Sequence, residues 1–312
     1  MRSRGLSMIH PYASRKYVEA LAGDKSEVVD LPDLGTHVLL RPIKGTGYID
    51  AMGPYPCTPF NTEGGVEKSF EPLRALGTVS LTLVSDALER KSEEECSAFD
   101  FVRPYKKHYL SEGEIDESSF SAHHRRDIRR AQRFSETREI SLDDYFSEWI
   151  AMYEGLAERH DFSAFHRFDR NYFEALSDLA GLITIGVFIA EELVSCHLWI
   201  RSELGSYSHL AASSERGYDI GAAYAAYAYS LNLLNSSGPV DLGGVADTNA
   251  GGGDGLDKFK AGFSNSQAIN YICGAILRPN VYRQLSSNRM TSNDRYFPLY
   301  RGPEKGEIST LK

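Results

Sequence analysis

Residues 239–263 read PVDLGGVADTNAGGGDGLDKFKAGF. Val240-Asp241-Leu242 has the pattern of a short buried strand that runs into Gly243 and Gly244, and residues 256–263 then read as a helix carrying Lys258 and Lys260. Glycine has no Cβ, so a strand that stops at glycines lets a second molecule approach bare backbone. Phe259 and Phe263 stand four apart on one helical face, the spacing of core anchors. Phe259 is also a candidate substrate contact.

Working outward, residues 121–277 give a readable order of elements. A basic helix near 123–133 and a second helix at 142–159 precede three strands at 182–190, 194–201 and 206–212, with turns at Glu191-Glu192 and Glu203-Leu204-Gly205. The first strand is a nearly unbroken apolar run, as in a strand covered on both faces. A helix at 220–235 follows, with Ile220, Tyr224, Tyr227, Leu231 and Leu234 forming one apolar stripe. The strand at 240 comes next, then the helix at 256 and a last strand at 267–277. The first third is less regular: 36–41, 48–50 and 78–84 are β-like, and Pro54, Pro56 and Pro59 interrupt them. The acidic, Ser-rich stretch 111–121 reads as a linker whose end caps the basic helix. The polar segment 279–312 reads as a tail, loose or packed back.

The chain has 312 residues, enough for two domains of ordinary size. Hydrophobic residues at 42% and charged residues at 25% mark a soluble globular protein. The N-terminal MRSRGLSMIHPYASRKY lacks an apolar run, so neither a signal peptide nor an integral membrane segment is expected, and a cytoplasmic location is. Cys57, Cys96, Cys196 and Cys273 form no C-x-x-C pair, which speaks for reduced thiols and against a structural metal site or a disulfide framework. A net charge of −9 argues against indiscriminate binding to DNA. Yet Arg125, Arg126, Arg129, Arg130 and Arg133 put five arginines into nine positions. On a helix, Arg125, Arg129 and Arg133 share a face, with Arg126 and Arg130 beside them. Such a strip suits phosphate; it is also what a solvated helix face paired with acidic neighbours looks like.

Two motifs carry a family resemblance. Leu242 to Phe263 resembles the "LGG … G-L-x-x-FK-x-GF" signature of the Fem (FemABX-like) family, and Ser121 to Ala131 matches "S-x-x-x-R-R-x-I-R-x-A". Members of that family look like paired GNAT-type acyltransferase domains, and several form a peptide bond with an amino acid taken from aminoacyl-tRNA. The resemblance implies an α/β (α+β) fold of two tandem GNAT-like domains, each a mixed, mostly antiparallel sheet flanked by helices. The domains would be 1–115, joined by 278–312, and 116–277. No residue-level repeat links the two halves. The chain departs from cell-wall members in lacking their long helical-hairpin insertion, and in its "MGPYPCTP" loop where relatives carry a "PYGY"-like one.

Amine attack on an activated acyl group needs an orienting cleft, donors for the oxyanion and a route for the amine proton. A GNAT sheet supplies donors from backbone where two strands splay, and Asp241-Leu242-Gly243-Gly244 would be one of those strands. No side-chain nucleophile is then required, and there is no G-x-S-x-G elbow or recognisable Cys/His pairing. Lys260 takes the lysine position of the family signature, which implies that it holds the 3′-terminal phosphates or acyl ester of a donor tRNA; helix statistics alone make it a solvated lysine. Asp241 is either an acceptor for the nucleophilic amine or a residue fixing the strand end. Asp50 and Tyr55 are candidates for holding the acceptor, Asp50 being equally a turn former. Arg125, Arg126, Arg129 and Arg130, with Lys258, would bind tRNA. Coenzyme A-dependent GNAT enzymes carry Arg/Gln-x-x-Gly-x-Gly/Ala; here Arg216-Gly217-Tyr218-Asp219-Ile220-Gly221-Ala222 puts Asp219 at the first glycine, where a carboxylate repels pyrophosphate. Arg216 remains a candidate substrate contact. His197 and His209 read as core histidines. Asp247-Thr248-Asn249 resembles the start of a calcium loop, but position twelve is Lys258, which rules that out.

The resulting expectation is an aminoacyl-tRNA-dependent aminoacyl (peptidyl) transferase without a bound cofactor. Its partners would be aminoacyl-tRNA and a small-molecule or peptidyl acceptor amine, in a cell-wall precursor or a peptide-like metabolite. The alternatives are an acyl-CoA-dependent N-acyltransferase of surface-polysaccharide or lipid assembly, and a non-catalytic RNA-binding protein.

Overall fold

A computed structural model describes residues 10–62, 65–160, 167–244, 254–289 and 296–302. The chain divides into two compact units, one of Tyr12–Tyr105 with Asn270–Lys312 and the other of Lys106–Ile269 with Met1–Pro11. In chain order the main elements are α1 (Arg15–Ala22), β1 (Val28–Leu31), β2 (Thr36–Pro42), β3 (Ile49–Met52), α2 (Glu71–Ala75), β4 (Ser80–Val84) and β5 (Phe101–Ser111). They continue with α3 (Ala122–Gln132), β6 (Glu136–Ile140), α4 (Phe146–Arg159), α5 (Arg170–Ser177), β7 (Leu182–Ile189), β8 (Glu192–Arg201) and β9 (Ser206–Ser213). The last are α6 (Glu215–Ile220), α7 (Ala222–Leu234), β10 (Val240–Gly244), α8 (Asp254–Phe263), β11 (Ser266–Ile276) and α9 (Pro279–Ser286). The fold is a mixed α/β one.

In the first unit the sheet runs β1-β2-β3-β4-β11, pairing antiparallel, antiparallel, parallel, antiparallel. The parallel pair β3/β4 does not open. Beyond the Met52–Thr82 register pair, Gly53 donates its N–H to the Thr82 carbonyl at 2.9 Å and Thr58 donates to the Val84 carbonyl at 2.7 Å. The Thr58 side chain also fills the face of Gly53, where a Cβ would lie 1.8 Å from its hydroxyl oxygen. Asp50 is fully buried here, and its carboxylate accepts from Arg41 Nε at 3.1 Å, from Arg301 Nε and Nη2 at 2.6 and 2.8 Å, and from Tyr300 at 3.0 Å. Removing one member of a buried, hydrogen-bonded charge cluster strands the others. Asp50→Ala is therefore expected to lower the unfolding free energy by about 3 kcal/mol, read as a shift in urea midpoint. An unshifted midpoint would assign the cluster no structural weight.

In the second unit the order is β6-β7-β8-β9-β10-β5, antiparallel throughout except for the parallel β9/β10 pair. β7 is buried along nearly its whole length, as its apolar run predicts. Its core gathers Ile183, Ile185, Trp199, Tyr227, Leu231, Leu234, Val240, Leu242 and Phe263. Here the parallel pair does part. Val240 and Asp241 are in register with Ser206 and Tyr207; beyond them β9 and β10 share no further register pair among the described residues, and the register against β5 shifts between Asp241 and Gly244.

Several elements differ from the sequence reading. The helix expected at 220–235 is α7, and a short helix the sequence reading does not include, α6, precedes it; Gly221, in a left-handed conformation (φ 72°), closes the one and starts the other. β5 escapes a search for alternation because Pro104, Lys106 and Lys107 interrupt it, and the half-exposed β6 is polar. For the segment after 278 the packed-back alternative holds: α9 starts at Pro279, and Tyr282 and Tyr300 are buried against Ile43 and Val79. All four cysteines are buried, and none of them is in a disulfide. Among the described residues, no helix is long and apolar enough to cross a membrane.

Candidate active site

The site is built around the two glycines that end β10. Gly243 has φ 86°, a conformation that excludes most side chains, and its N–H turns back to donate to Asp241 Oδ1 at 2.7 Å. The other partner of the Asp241 carboxylate is His108 on β5, whose Nδ1 lies 2.8 Å from Oδ2 and 3.1 Å from Oδ1. Both bare glycine faces are closely approached. A Cβ on Gly243 would lie 3.0 Å from Lys260 Nζ, and one on Gly244 would lie 2.9 Å from Lys106 Cβ and 3.0 Å from His108 Nε2. Lys260, on α8, donates to the Gly244 carbonyl at 3.0 Å and is only 8% exposed. The solvated-lysine reading of Lys260 is thereby overturned: Phe259 and Phe263 turn α8 onto the core, and the adjacent lysine is carried in with them.

Burial pulls Lys260 down from its ordinary 10.5 to about 8; Asp241 pulls it up and Lys106 pushes it further down. On its core side lie aromatic rings and a buried histidine. His197 is pushed down to about 3 by burial, with Lys260 and His209 adding to the effect. Its Nε2 pairs with Ser208 Oγ at 2.9 Å, and its ring lies 4.1 Å from Trp199 and 4.7 Å from Tyr227. Tyr227 is pushed up to about 12, chiefly by burial. His209 accepts from the Tyr172 hydroxyl at 2.6 Å and is likewise held near 3 by burial. Both histidines are core groups, as their place on alternating strands suggests.

The two motifs of the sequence touch. Ser121 caps α3, accepting the His124 N–H at 3.2 Å, and its N–H donates to the Gly262 carbonyl at 3.3 Å. His124 donates from Nε2 to the Phe259 carbonyl at 2.9 Å and accepts the Ser121 hydroxyl at Nδ1 at 2.8 Å. Its ring occupies the space where a Gly262 Cβ would be, 2.1 Å from Cε1. Gly262 is thus required so that α3 can pack on α8. Phe259 and Phe263 pack against Tyr224, Tyr227 and His124, as core anchors do.

Beyond His124, Arg126, Asp127, Arg129, Arg130 and Arg133 line a surface concavity of about 560 Å³. Arg126 is paired with His123 and Asp127, and Arg130 donates to the Asp219 carbonyl at 2.8 Å. Arg129 and Arg133 make no hydrogen bond or ion pair among the described residues. Arg125 does not join the strip; it folds back onto the Ser118 and Phe120 carbonyls at 3.1 and 2.9 Å. Lys258 is exposed on α8. Arg216 is exposed and ion-paired with Glu192. Asp50 and Tyr55 belong to the other unit; Tyr55, 46% exposed, accepts the Tyr17 hydroxyl at its carbonyl at 2.6 Å. Asp247-Thr248-Asn249 lie outside the described residues.

Around the position where coenzyme A enzymes grip pyrophosphate, the backbone is already in use. Gly217 donates to Ser214 Oγ at 3.3 Å, Tyr218 to the Ser214 carbonyl at 3.0 Å and Gly221 to the Tyr218 carbonyl at 3.0 Å. A Cβ on Gly217 would lie 2.1 Å from the Val194 carbonyl oxygen, so this segment is pressed against β8.

His108 and Lys106 were missed by the sequence reading. Nothing local marks them: His108 becomes informative only when the register places it opposite Gly244.

No family model and no curated protein matches the chain. Solved structures do. FemX superposes with a TM-score of 0.63 at 13% identity, covering 87% of this chain and 93% of that one. The C-terminal domain of an Agrobacterium fabrum protein assigned as a lysylphosphatidylglycerol synthetase superposes at 0.55 with 15% identity, covering 83% and 87%. L-PGS from Bacillus licheniformis does so at 0.52 with 14% identity, covering 88% and 96%. At these identities the likeness is one of fold, and that fold is the Fem-like one which the two motifs suggest.

Proposed function

We propose that this chain is an aminoacyl-tRNA-dependent transferase of two GNAT-like domains, 1–115 with 278–312 and 116–277. It would act in the cytoplasm and form an amide bond on an amine of a cell-wall precursor or small peptide-like metabolite. The observation that carries this reading is Lys260: a buried ammonium hydrogen-bonded to Gly244, where β10 ends after parting from β9. A cation in such a place stabilises negative charge far better than one in water, because little solvent screens it. It would meet the oxyanion or the leaving 3′-oxygen of an aminoacyl ester. The backbone N–H of Gly243 is spent on Asp241, so the cation takes the role that splayed backbone amides were expected to fill.

Chemistry belongs to the unit that contains Lys106–Ile269, since the β3/β4 pair of the other unit is bridged by Gly53 and Thr58. The preference for tRNA over acyl-CoA is supported by the occupied amides of Gly217, Tyr218 and Gly221, together with the carboxylate of Asp219. It is supported also by the arginine concavity on α3, the helix that His124 holds to the one bearing Lys258 and Lys260. Among the structures of similar fold, the name lysylphosphatidylglycerol synthetase itself denotes joining an aminoacyl group to an acceptor.

The direct test is incubation with charged total tRNA or, separately, with acyl-CoAs, followed by mass spectrometry of candidate acceptors. An aminoacyl adduct formed only with tRNA is expected; an acyl adduct formed from acyl-CoA would overturn the choice of donor. Ribonuclease-sensitive binding without any product would place the chain among RNA-binding proteins instead. Replacing Arg126 and Arg130 by Ala is expected to weaken tRNA binding and to flatten its salt dependence by about one unit of slope per lost phosphate contact. An unchanged slope in a folded variant would return the strip to a solvated helix face.

A further inference from the structure

His108 is held in a particular protonation geometry. Its Nδ1 faces the Asp241 carboxylate, an acceptor-only group, so Nδ1 carries a proton and Nε2 is the ring nitrogen left to face the site. Among the described residues Nε2 makes no hydrogen bond. It lies against the bare face of Gly244, 3.0 Å from where a Cβ would be, so the absence of a side chain there is what leaves this nitrogen uncovered. The same glycine's carbonyl receives Lys260, which puts that nitrogen and the buried cation on one residue of backbone.

The other histidines nearby are held in the core, where His197 is fully buried with its Nδ1 left unpaired. His124 uses both ring nitrogens within the α3–α8 packing. His197 and His209 are paired with Ser208 and Tyr172. The Asp241 carboxylate is divided between His108 and Gly243. The charged groups around His108 are Asp241 on β10, Lys260 on α8 and Lys106 on its own strand.

We infer that His108 is a catalytic residue that shuttles the proton of amide formation, and that Asp241 is its positioning residue. The inference rests on the aminoacyl-transfer reading. The acceptor amine attacks the ester carbonyl, forming the C–N bond and placing the electron pair on the carbonyl oxygen. His108 Nε2 takes one proton from the amine nitrogen. The tetrahedral intermediate then collapses, the C–O bond to the 3′-oxygen breaks, and the same proton passes from Nε2 to that leaving oxygen. The ring ends in its starting state, and no other reactant is consumed. Asp241 stabilises the imidazolium between these steps and keeps the ring from flipping.

The test uses the full chain with total aminoacyl-tRNA as donor and glycinamide as acceptor probe. His108→Gln is expected to lower kcat by about 10²-fold or more with little change in KM for tRNA, and to change the pH profile of the rate. His108→Ala should be partly restored by added imidazole, which a structural role would not be. Asp241→Asn should lower kcat without imidazole rescue. Independently of activity, ¹⁵N spectra of histidine-labelled wild-type protein should show His108 protonated at Nδ1 and bare at Nε2. The inference is overturned by wild-type kcat and pH profile in His108→Gln, or by the opposite tautomer in the spectra. If the wild-type protein transfers no aminoacyl group to glycinamide or to any acceptor tried in the mass-spectrometric assay, the transfer reading itself has failed.

Discussion

Lys260→Met is expected to lose roughly 10²- to 10³-fold in transfer rate, the usual consequence of removing one electrostatic donor from a reacting centre. At neutral pH it should nevertheless be at least as stable as the wild type. Burial brings the ammonium from its ordinary 10.5 to about 8. Between those two values the unfolded chain holds a proton that the folded chain has released, so wild-type stability should rise as pH increases through that window. Below it the folded state carries a buried cation at a cost on the order of 3 kcal/mol. Methionine has a similar length and no charge, so it removes that cost along with one hydrogen bond to Gly244. Denaturant midpoints measured from pH 7 to 10 should therefore show the wild type gaining on the variant as pH rises. Parallel curves would mean that Lys260 titrates as an exposed lysine does, and the account of the site would fall with it.

Gly244→Val is expected to abolish measurable transfer, by at least about 10²-fold, while sparing the fold. Strands accept valine well, and Gly244 is not among the positive-φ glycines, so its backbone asks nothing unusual of a side chain. The added group would instead meet His108 Nε2 at 3.0 Å and Lys106 Cβ at 2.9 Å. Lys106 Cβ is bonded to the β5 backbone, so that strand must give by a few tenths of an ångström. His108, tied to Asp241, cannot turn away without losing that bond. Gly243 offers no such clean comparison, since its φ of 86° strains any replacement whatever the space. A folded Gly244→Val protein with wild-type turnover would show that no substrate uses this face.

The arginine strip illustrates how far periodicity carries. Five arginines in nine positions do form a helix with a cationic outer face, yet the grouping differs from the helical-wheel expectation. Helical spacing puts Arg125 with Arg129 and Arg133, but its guanidinium instead donates to the carbonyls of Ser118 and Phe120. Arg126, one residue on and about 100° around the helix, shares the concavity with Arg129, Arg130 and Arg133. A helical wheel knows the direction of each side chain but not which carbonyls the preceding turn brings within reach.

By itself the sequence determined most of the order of elements from α3 to β11, though not β6, α5 or α6, and with it the doubly covered β7, the apolar stripe of α7 and the two motifs that mark the candidate site. All of these depend on residues within a few positions of one another, where apolar period and glycine conformation act directly on the chain. Only the tertiary structure decided that Lys260 is buried, that Ser121 and His124 need Gly262 bare, and that His108 meets Asp241 across 133 positions of sequence. Those facts follow from the register shift between β10 and β5 and from the packing of α3 on α8. Both are set by the summed burial of many distant side chains, so no local pattern in the sequence could announce them.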